Sequence, residues 1–377
     1  MMSQLWLEIS KGVLESNYRA VRARVCADGA PRLVMAVVKA NAYGHGVSLV
    51  APVLDAAGVD WFGVYSVEEA VQLSNLGITK PMLILGPVES TEVPEVVRRG
   101  YRVWLDSHPL AEALAAEARV QNRTAYVHIS IDTGMSREGF WFDDAVSAVQ
   151  RVHQLAPHLE IEGIGTHFAS AENPEADSQT SEQIERFTVV LTNLDELGIK
   201  PAIISAANSA GLLRHPGSHF TMVRTGAALY GLALSSQEPD IAPIGSLKAR
   251  VARVKKARPG ERVGYGGTYT TMDDATLLQI GAGYADGLNR YLANNAHVLV
   301  GPAGEDGLVC GTISMNTTMV VISGDYEPAE GDEIVFIGTA GNKKIAAEQY
   351  SETIPNLRVP HIFTQLNAVT VDRVLVE

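Results

Sequence analysis

Residues 34–41 read Val34-Met-Ala-Val-Val-Lys-Ala-Asn41. An unbroken apolar run rich in valine is the pattern of a strand buried on both faces, and here it stops abruptly on a lysine. The same texture recurs along the chain, at 61–65, 82–85, 101–105, 125–131, 161–166, 202–205 and 221–224. Helix-like stretches such as 67–76, 109–118 and 179–197 lie between these runs. Helical crossovers demand parallel neighbours, so the alternation predicts either a (β/α)8 barrel or a doubly wound open sheet. Eight strands favour the barrel. After about Tyr230 the helical period fades. Strand-like runs at 247–255, 275–280, 297–300, 307–310, 319–322 and 333–337 are separated by turn signals at 258–260, 272–274 and 330–332. That predicts a mainly antiparallel β-domain, to which 5–9 adds a strand. The expected organisation is a barrel over 10–235 and a β-domain over 236–377 that includes the N-terminal strand 1–9.

Composition narrows the function. The chain has 377 residues, 46% of them hydrophobic, with 30 Lys+Arg against 43 Asp+Glu and a net charge of −13. An acidic chain without a basic run speaks against nucleic acid or an anionic membrane as its main partner. Cys26 and Cys310 are the two cysteines; two cannot build a zinc cluster, and reduced thiols are expected, with no metal. The N-terminal Met-Met-Ser-Gln-Leu-Trp-Leu-Glu-Ile-Ser lacks a secretory pattern, and no apolar stretch approaches the ~20 residues of a membrane span. A cytoplasmic protein is expected.

In a barrel the chemistry sits at the C-terminal ends of the strands. The polar residues predicted there are Lys39, Arg137, His167, Asn208-Ser209 and Arg224. Lys39 either caps the strand at the rim or is desolvated, with its pKa lowered so that a neutral amine is available as a nucleophile. Asn41-Ala-Tyr-Gly-His-Gly46 reads as an anion-binding turn leading into a helix. Taken alone, Arg224 fits a salt bridge at the barrel mouth, and a histidine after a strand is more often structural.

Residues 37–46 resemble the lysine motif of bacterial alanine racemases. Asp132-Thr-Gly-Met-Ser-Arg137, Gly165-Thr-His-Phe-Ala, Ala207-Asn-Ser209, Val223-Arg224-Thr-Gly, Gly264-Tyr265-Gly and Gly283-Tyr-Ala-Asp-Gly287 agree with that family in order. The resemblance implies a pyridoxal 5'-phosphate enzyme interconverting L- and D-alanine, supplying D-alanine for peptidoglycan. Lys39 would carry the cofactor and Arg224 would face its pyridine nitrogen. Tyr43, Ser209 and the N–H groups of Gly226 and Ala227, opening a short helix, would hold the phosphate. Racemisation needs groups on both faces of Cα, implied to be Lys39 and Tyr265 of the partner subunit, which makes a homodimer necessary. His167 and Arg290 would support the tyrosine. Arg137, Tyr284 and the Met315 N–H would meet the small amino-acid substrate, although 311–320 is strand-like and Met315 also fits a core methionine.

Three positions depart from the family pattern. Ser130 stands where a lysine, often carbamylated, orients the arginine, so Arg137 needs another anion such as chloride. Asn316 replaces an aspartate. Asn356 falls where a tyrosine walls the substrate pocket, which points toward serine or broad-specificity racemases as the alternative. Among other classes, a decarboxylase of basic amino acids would carry glutamate in place of Arg224, and a non-enzymatic cofactor carrier would end after the barrel.

Overall fold

The computed structural model describes residues 4–232, 240–324 and 326–377. The chain divides into two compact units. One comprises Leu14–Ala42 and Val50–Ala242; the other comprises Met1–Val13, Tyr43–Leu49 and Pro243–Glu377. The expected boundary at 235/236 lies outside the described residues.

The first unit is a closed parallel barrel. Its strands are Leu33–Val37, Trp61–Val64, Met82–Ile84, Arg102–Leu105, Ala125–Asp132, Leu159–Gly165, Ile203–Ser205 and Met222–Thr225. Each pairs in parallel with the next, and the eighth returns to the first through Met222↔Leu33 to Thr225↔Ala36. That closure excludes the open sheet. Met35, Trp61, Leu83, Trp104, Ile203 and Met222 pack into one buried cluster. The crossover helix Val67–Asn75 shows how the local sequence sets the fold. Ser66 caps it through its side chain to the Glu69 N–H, and Glu68 and Glu69 place negative charge in its first turn.

A charged group packs against Trp61. The Arg102 guanidinium lies 5.3 Å from the Trp61 ring and 4.9 Å from that of Tyr126. It donates twice to Glu162, at 2.9 Å each, and the fully buried His128 reaches the same carboxylate at 3.3 Å. Burial alone would raise the Glu162 pKa. The Arg102 hydrogen bonds and then His128 outweigh it and bring it to about 2.

The second unit is built on antiparallel pairing. Gly245–Ala257, Ala275–Ile280, Thr318–Ile322, Glu305–Val309, His297–Val300 and Glu333–Ala340 pair in that order, and the last pairs back with Gly245–Ala257 to close a six-stranded ring. Leu5–Ser10 lies antiparallel to Gly245–Ala257 and parallel to Asp372–Val376. Tyr43–Leu49 belongs to this unit through contacts with residues far along the chain. Gly44 (φ 84°) sits so close to Phe363 that an added Cβ would lie 2.0 Å from its carbonyl oxygen. The His45 ring stacks 4.7 Å from Phe363, and Arg373 Nε donates to the Gly44 carbonyl at 3.1 Å.

Two sequence expectations need correction. Residues 226–231 form successive turns, not a short helix: the N–H groups of Gly226 and Ala228 both bond to Ser209 Oγ, which bends the backbone away from a helical ladder. The strand-like reading of 311–320 holds only from Thr318; Met315 is 56% exposed in a loop and is not a core residue. Cys26 and Cys310 are both free thiols. Among the described residues no helix is long and apolar enough to cross a membrane, and no cluster of metal-ligating side chains is present.

The Glu162 pair sets an acid-stability expectation. A carboxylate whose folded pKa is depressed stabilises the fold above its unfolded pKa of about 4.5, and this is lost as pH falls toward about 2. Glu162→Gln removes that pH-linked part. Chemical denaturation across pH 2–5 should give a shallower loss of stability in the variant than in the wild type. Parallel curves would show that the pair contributes nothing.

Candidate active site

The first barrel strand delivers Lys39 into an unusual turn. Ala40, Asn41, Ala42 and Tyr43 all have φ between 52° and 55°. Consecutive left-handed residues with side chains are unfavourable by about 1–2 kcal/mol each, so neighbouring groups must hold them. Glu69 is one such group. Its carboxylate accepts the Ala40 N–H at 2.7 Å and the Tyr65 N–H at 2.6 Å, joining the ends of the first and second strands. Lys39 Nζ lies 5.8 Å from the Tyr65 ring centroid. Burial lowers the Lys39 pKa, the Arg137 charge adds to that, and Glu138 and Glu69 oppose it.

Arg224 is 4% exposed in the eighth strand. Nη2 donates to the Thr166 carbonyl at 2.6 Å, the Ala206 carbonyl at 3.3 Å and His167 Nδ1 at 3.4 Å, and Nη1 donates to Ser205 Oγ at 2.5 Å. Its Cζ lies 4.8 Å from the Trp104 ring centroid. None of these partners is a carboxylate, so the simple salt-bridge reading fails. Burial brings its pKa down to about 10, which leaves it charged at neutral pH. Burial, then Arg224, Arg137 and Lys39, push His167 well below its ordinary pKa, so the ring is neutral. With Nδ1 accepting from Arg224, its proton sits on Nε2, which is left as a donor.

After the seventh strand, Asn208 caps the Ser209–Arg214 helix through the Gly211 N–H, at 2.9 Å. Ser209 Oγ receives the N–H groups of Gly226 and Ala228, each at 3.1 Å, and lies 3.2 Å from Thr225 Oγ1. Ala227 falls between those two donors. The Gly226 and Ala228 N–H groups thus converge on the serine oxygen, which satisfies both. At the end of the fifth strand Arg137 pairs with the neighbouring carboxylate of Glu138, Nη2 to Oε1 at 2.6 Å. The sequence, with Ser130 in place of lysine, did not point to Glu138 as a partner of Arg137.

The β unit gathers a second group of the expected residues. Tyr284 N–H donates to the Ser314 carbonyl at 3.1 Å and Ala285 N–H to that of Met315 at 3.0 Å. Thr312 Oγ1 donates to the Tyr265 carbonyl at 3.0 Å, and the Arg290 guanidinium lies 6.0 Å from the Tyr284 ring centroid. Tyr265, Tyr284, Arg290 and Met315 are thereby tied to one loop cluster, with Tyr265 73% exposed. Burial raises the Tyr43 hydroxyl to about 12. Asn356 stands in an exposed turn at φ 59°, a conformation that itself favours asparagine. A tyrosine there would be strained.

A family model described as alanine racemase, N-terminal domain, matches residues 9–234, and one described as alanine racemase, C-terminal domain, matches 244–373. The chain belongs to the alanine racemase family. Within it, an alanine racemase of Symbiobacterium thermophilum is 40% identical over 351 residues, covering 92% of this chain and 91% of that protein. One from Carboxydothermus hydrogenoformans is 35% identical over 96% of this chain and the whole of the relative. Among solved structures, alanine racemase from D-cycloserine-producing Streptomyces lavendulae superposes with a TM-score of 0.90 at 30% identity, covering 100% of this chain and 98% of that one. The Bartonella henselae alanine racemase, described with covalently bound pyridoxal phosphate, gives 0.86 at 28% identity over 99% of this chain and 100% of that one. Family membership makes the chain a pyridoxal 5'-phosphate-dependent alanine racemase, an isomerase.

Three contributors were not singled out from sequence. Glu69 left a trace, since an acidic residue three positions after Ser66 marks a helix start. Glu138 sits beside the motif arginine. Gln183, 1% exposed within a helix, donates to Thr133 Oγ1 at 3.2 Å and the His167 carbonyl at 3.0 Å, and nothing in its spacing announced it.

Glu69→Gln keeps one acceptor but turns an amide donor toward the second backbone N–H. The variant should lose on the order of 1–3 kcal/mol of stability. Hydrogen exchange at Ala40 and Tyr65 should accelerate ahead of the rest of the barrel. Unchanged exchange at both amides would remove Glu69 as the holder of the turn.

Proposed function

We propose that this chain interconverts L- and D-alanine by proton transfer between two bases, Lys39 and the partner subunit's Tyr265, as a homodimer in the cytoplasm that supplies D-alanine for peptidoglycan. The observation that carries the reading is Lys39. Its amine has a lowered pKa and ends a barrel strand at the same end as a buried Arg224 that has no carboxylate among its hydrogen-bond partners. The residues present fit the cofactor: an available amine, converging N–H groups around Ser209, and a cationic donor in the eighth strand. When bound, pyridoxal phosphate supplies an electron-withdrawing ring that acidifies the substrate Cα–H.

Each residue then has a task. Lys39 would hold the cofactor, and its Nζ, when unprotonated, would take or give the Cα proton on one face. The partner subunit's Tyr265 carries the proton on the other face, because one side chain cannot reach both. A phenol with an ordinary pKa near ~10 needs its anion stabilised. The Nε2–H of His167 is a donor available for that task, and the partner subunit's Arg290 would reinforce it. Arg224 would meet the ring nitrogen and, retaining its own proton, would leave that nitrogen unprotonated and temper the electron withdrawal. Tyr43, whose hydroxyl stays protonated, would donate to the phosphate together with Ser209 and the N–H groups of Gly226 and Ala227. Arg137 and the partner subunit's Met315 N–H bind the substrate carboxylate, and Tyr284 borders it. An exposed Tyr265 supports the dimer reading, since a catalytic phenol works in a site shielded from water. Arg224 in place of a carboxylate speaks against the decarboxylase reading. The strand ring after the barrel, matched by the C-terminal family model, speaks against a single-barrel carrier.

Borohydride treatment of the cofactor-loaded protein followed by peptide mapping should place a pyridoxyl label on Lys39. A label on another lysine would refute the assignment. Lys39→Ala and Tyr265→Ala should each be inactive. Mixed under conditions where subunits exchange, they should regain activity, because one of the two shared sites is then intact. Demonstrated exchange with no recovery would overturn the shared site.

A further inference from the structure

Arg137 and Glu138 lie on a loop pinned at both ends. At its start the buried Asp132 Oδ1 accepts the N–H groups of Gly134, Met135 and Ser136, at 2.9, 2.9 and 3.1 Å. At its end Gly139 (φ 111°) approaches the fifth strand so closely that an added Cβ would sit 2.8 Å from Ser130 Oγ. Between these pins, Glu138 takes two donors from Arg137, Nη2 at 2.6 Å and Nε on the other carboxylate oxygen. The Glu138 side chain is 23% exposed and that of Arg137 51%.

An ion pair between adjacent residues on a surface would carry no meaning; its company here does. Lys39, Arg137 and Arg224 are three cations at one end of the barrel, and the Glu138 charge acts on all three. Ser130, at the strand position nearest this loop, has no charge to offer. A guanidinium presents two edges to carboxylates. With the Nε/Nη2 edge held by Glu138, the Nη1 side is left for a second carboxylate, and the plane that meets it is fixed in advance.

We propose that Glu138 is a positioning residue that orients Arg137 for the substrate carboxylate and supplies, from within the chain, the anion Arg137 needs. The inference rests on the reading of Arg137 as a substrate-binding residue. It makes substrate binding independent of chloride, bicarbonate or any other external anion, whereas an arginine without this carboxylate would depend on one.

The test is steady-state racemisation of alanine in both directions by the cofactor-loaded enzyme, with chloride, bicarbonate and acetate varied separately at constant ionic strength. Glu138→Gln and Glu138→Ala should raise KM for alanine about tenfold while kcat changes much less, the size expected for losing a charge-assisted hydrogen-bonded pair. Acetate should restore much of the loss in Glu138→Ala, where a small carboxylate can enter the space, and the wild-type KM should not respond to any of the three anions. Variants with wild-type KM in anion-free buffer would overturn the proposal. So would a wild-type KM that falls as chloride or bicarbonate is added, an arm that decides the question even if both variants fail to fold. Failure of the racemase reading would show itself differently, as a loaded wild-type protein that leaves alanine unchanged.

Discussion

The Arg224 guanidinium commits its donors to the Thr166 and Ala206 carbonyls, the Ser205 hydroxyl and the His167 ring. A buried positive charge thus adds a side-chain tie to the backbone pairing of the sixth, seventh and eighth strands at their ends. His167 and Trp104 answer to it directly. Burial first, and then the cation against Nδ1, keep His167 neutral, and the hydrogen bond from Arg224 puts its proton on Nε2. Trp104 gives the cation a π face. Removing such a charge would leave several buried acceptors unpaired at once, which costs more than any single bond suggests.

That arrangement also explains the division of labour among neighbouring groups. A cluster of Lys39, Arg137 and Arg224 would repel itself without anions, and the carboxylates of Glu69 and Glu138 meet the need in different ways. Glu69 binds backbone, holding a turn that peptides avoid. Glu138 binds a side chain, setting the plane of a guanidinium. Burial of Lys39 and the Arg137 charge act in the same direction on its amine, so its lowered pKa follows from placement.

Much of the fold was legible because its signals are local and repeated. Continuous valine-rich runs such as 34–38 can only be satisfied between covering layers, and the ends of those runs already named Lys39, His167 and Arg224. The ring of the β unit was legible as strands but not as a closed ring, because the return pairing of Glu333–Ala340 on Gly245–Ala257 is set by non-local register. The turn at 226–231 was misread as a helix because Ser209, seventeen residues earlier, captures the Gly226 N–H. Met315 was ambiguous because an apolar residue in a β-rich stretch carries no mark of exposure. The partner of Arg137 stood next to it in the chain, yet spacing alone does not say which way two adjacent side chains turn.

The membership of Tyr43–Leu49 bears on how the protein can come into being. This segment is made early, yet Arg373, which ties down Gly44, follows 329 residues later. On a ribosome the barrel strands can pair in order as they emerge, each beside its predecessor, while this one loop waits for distant residues to be synthesised. A left-handed turn next to Lys39 is therefore the part of the site that vectorial synthesis completes late. Neither unit is a contiguous piece of chain, so they could not have been joined, or be exchanged between relatives, by a single crossover in the gene.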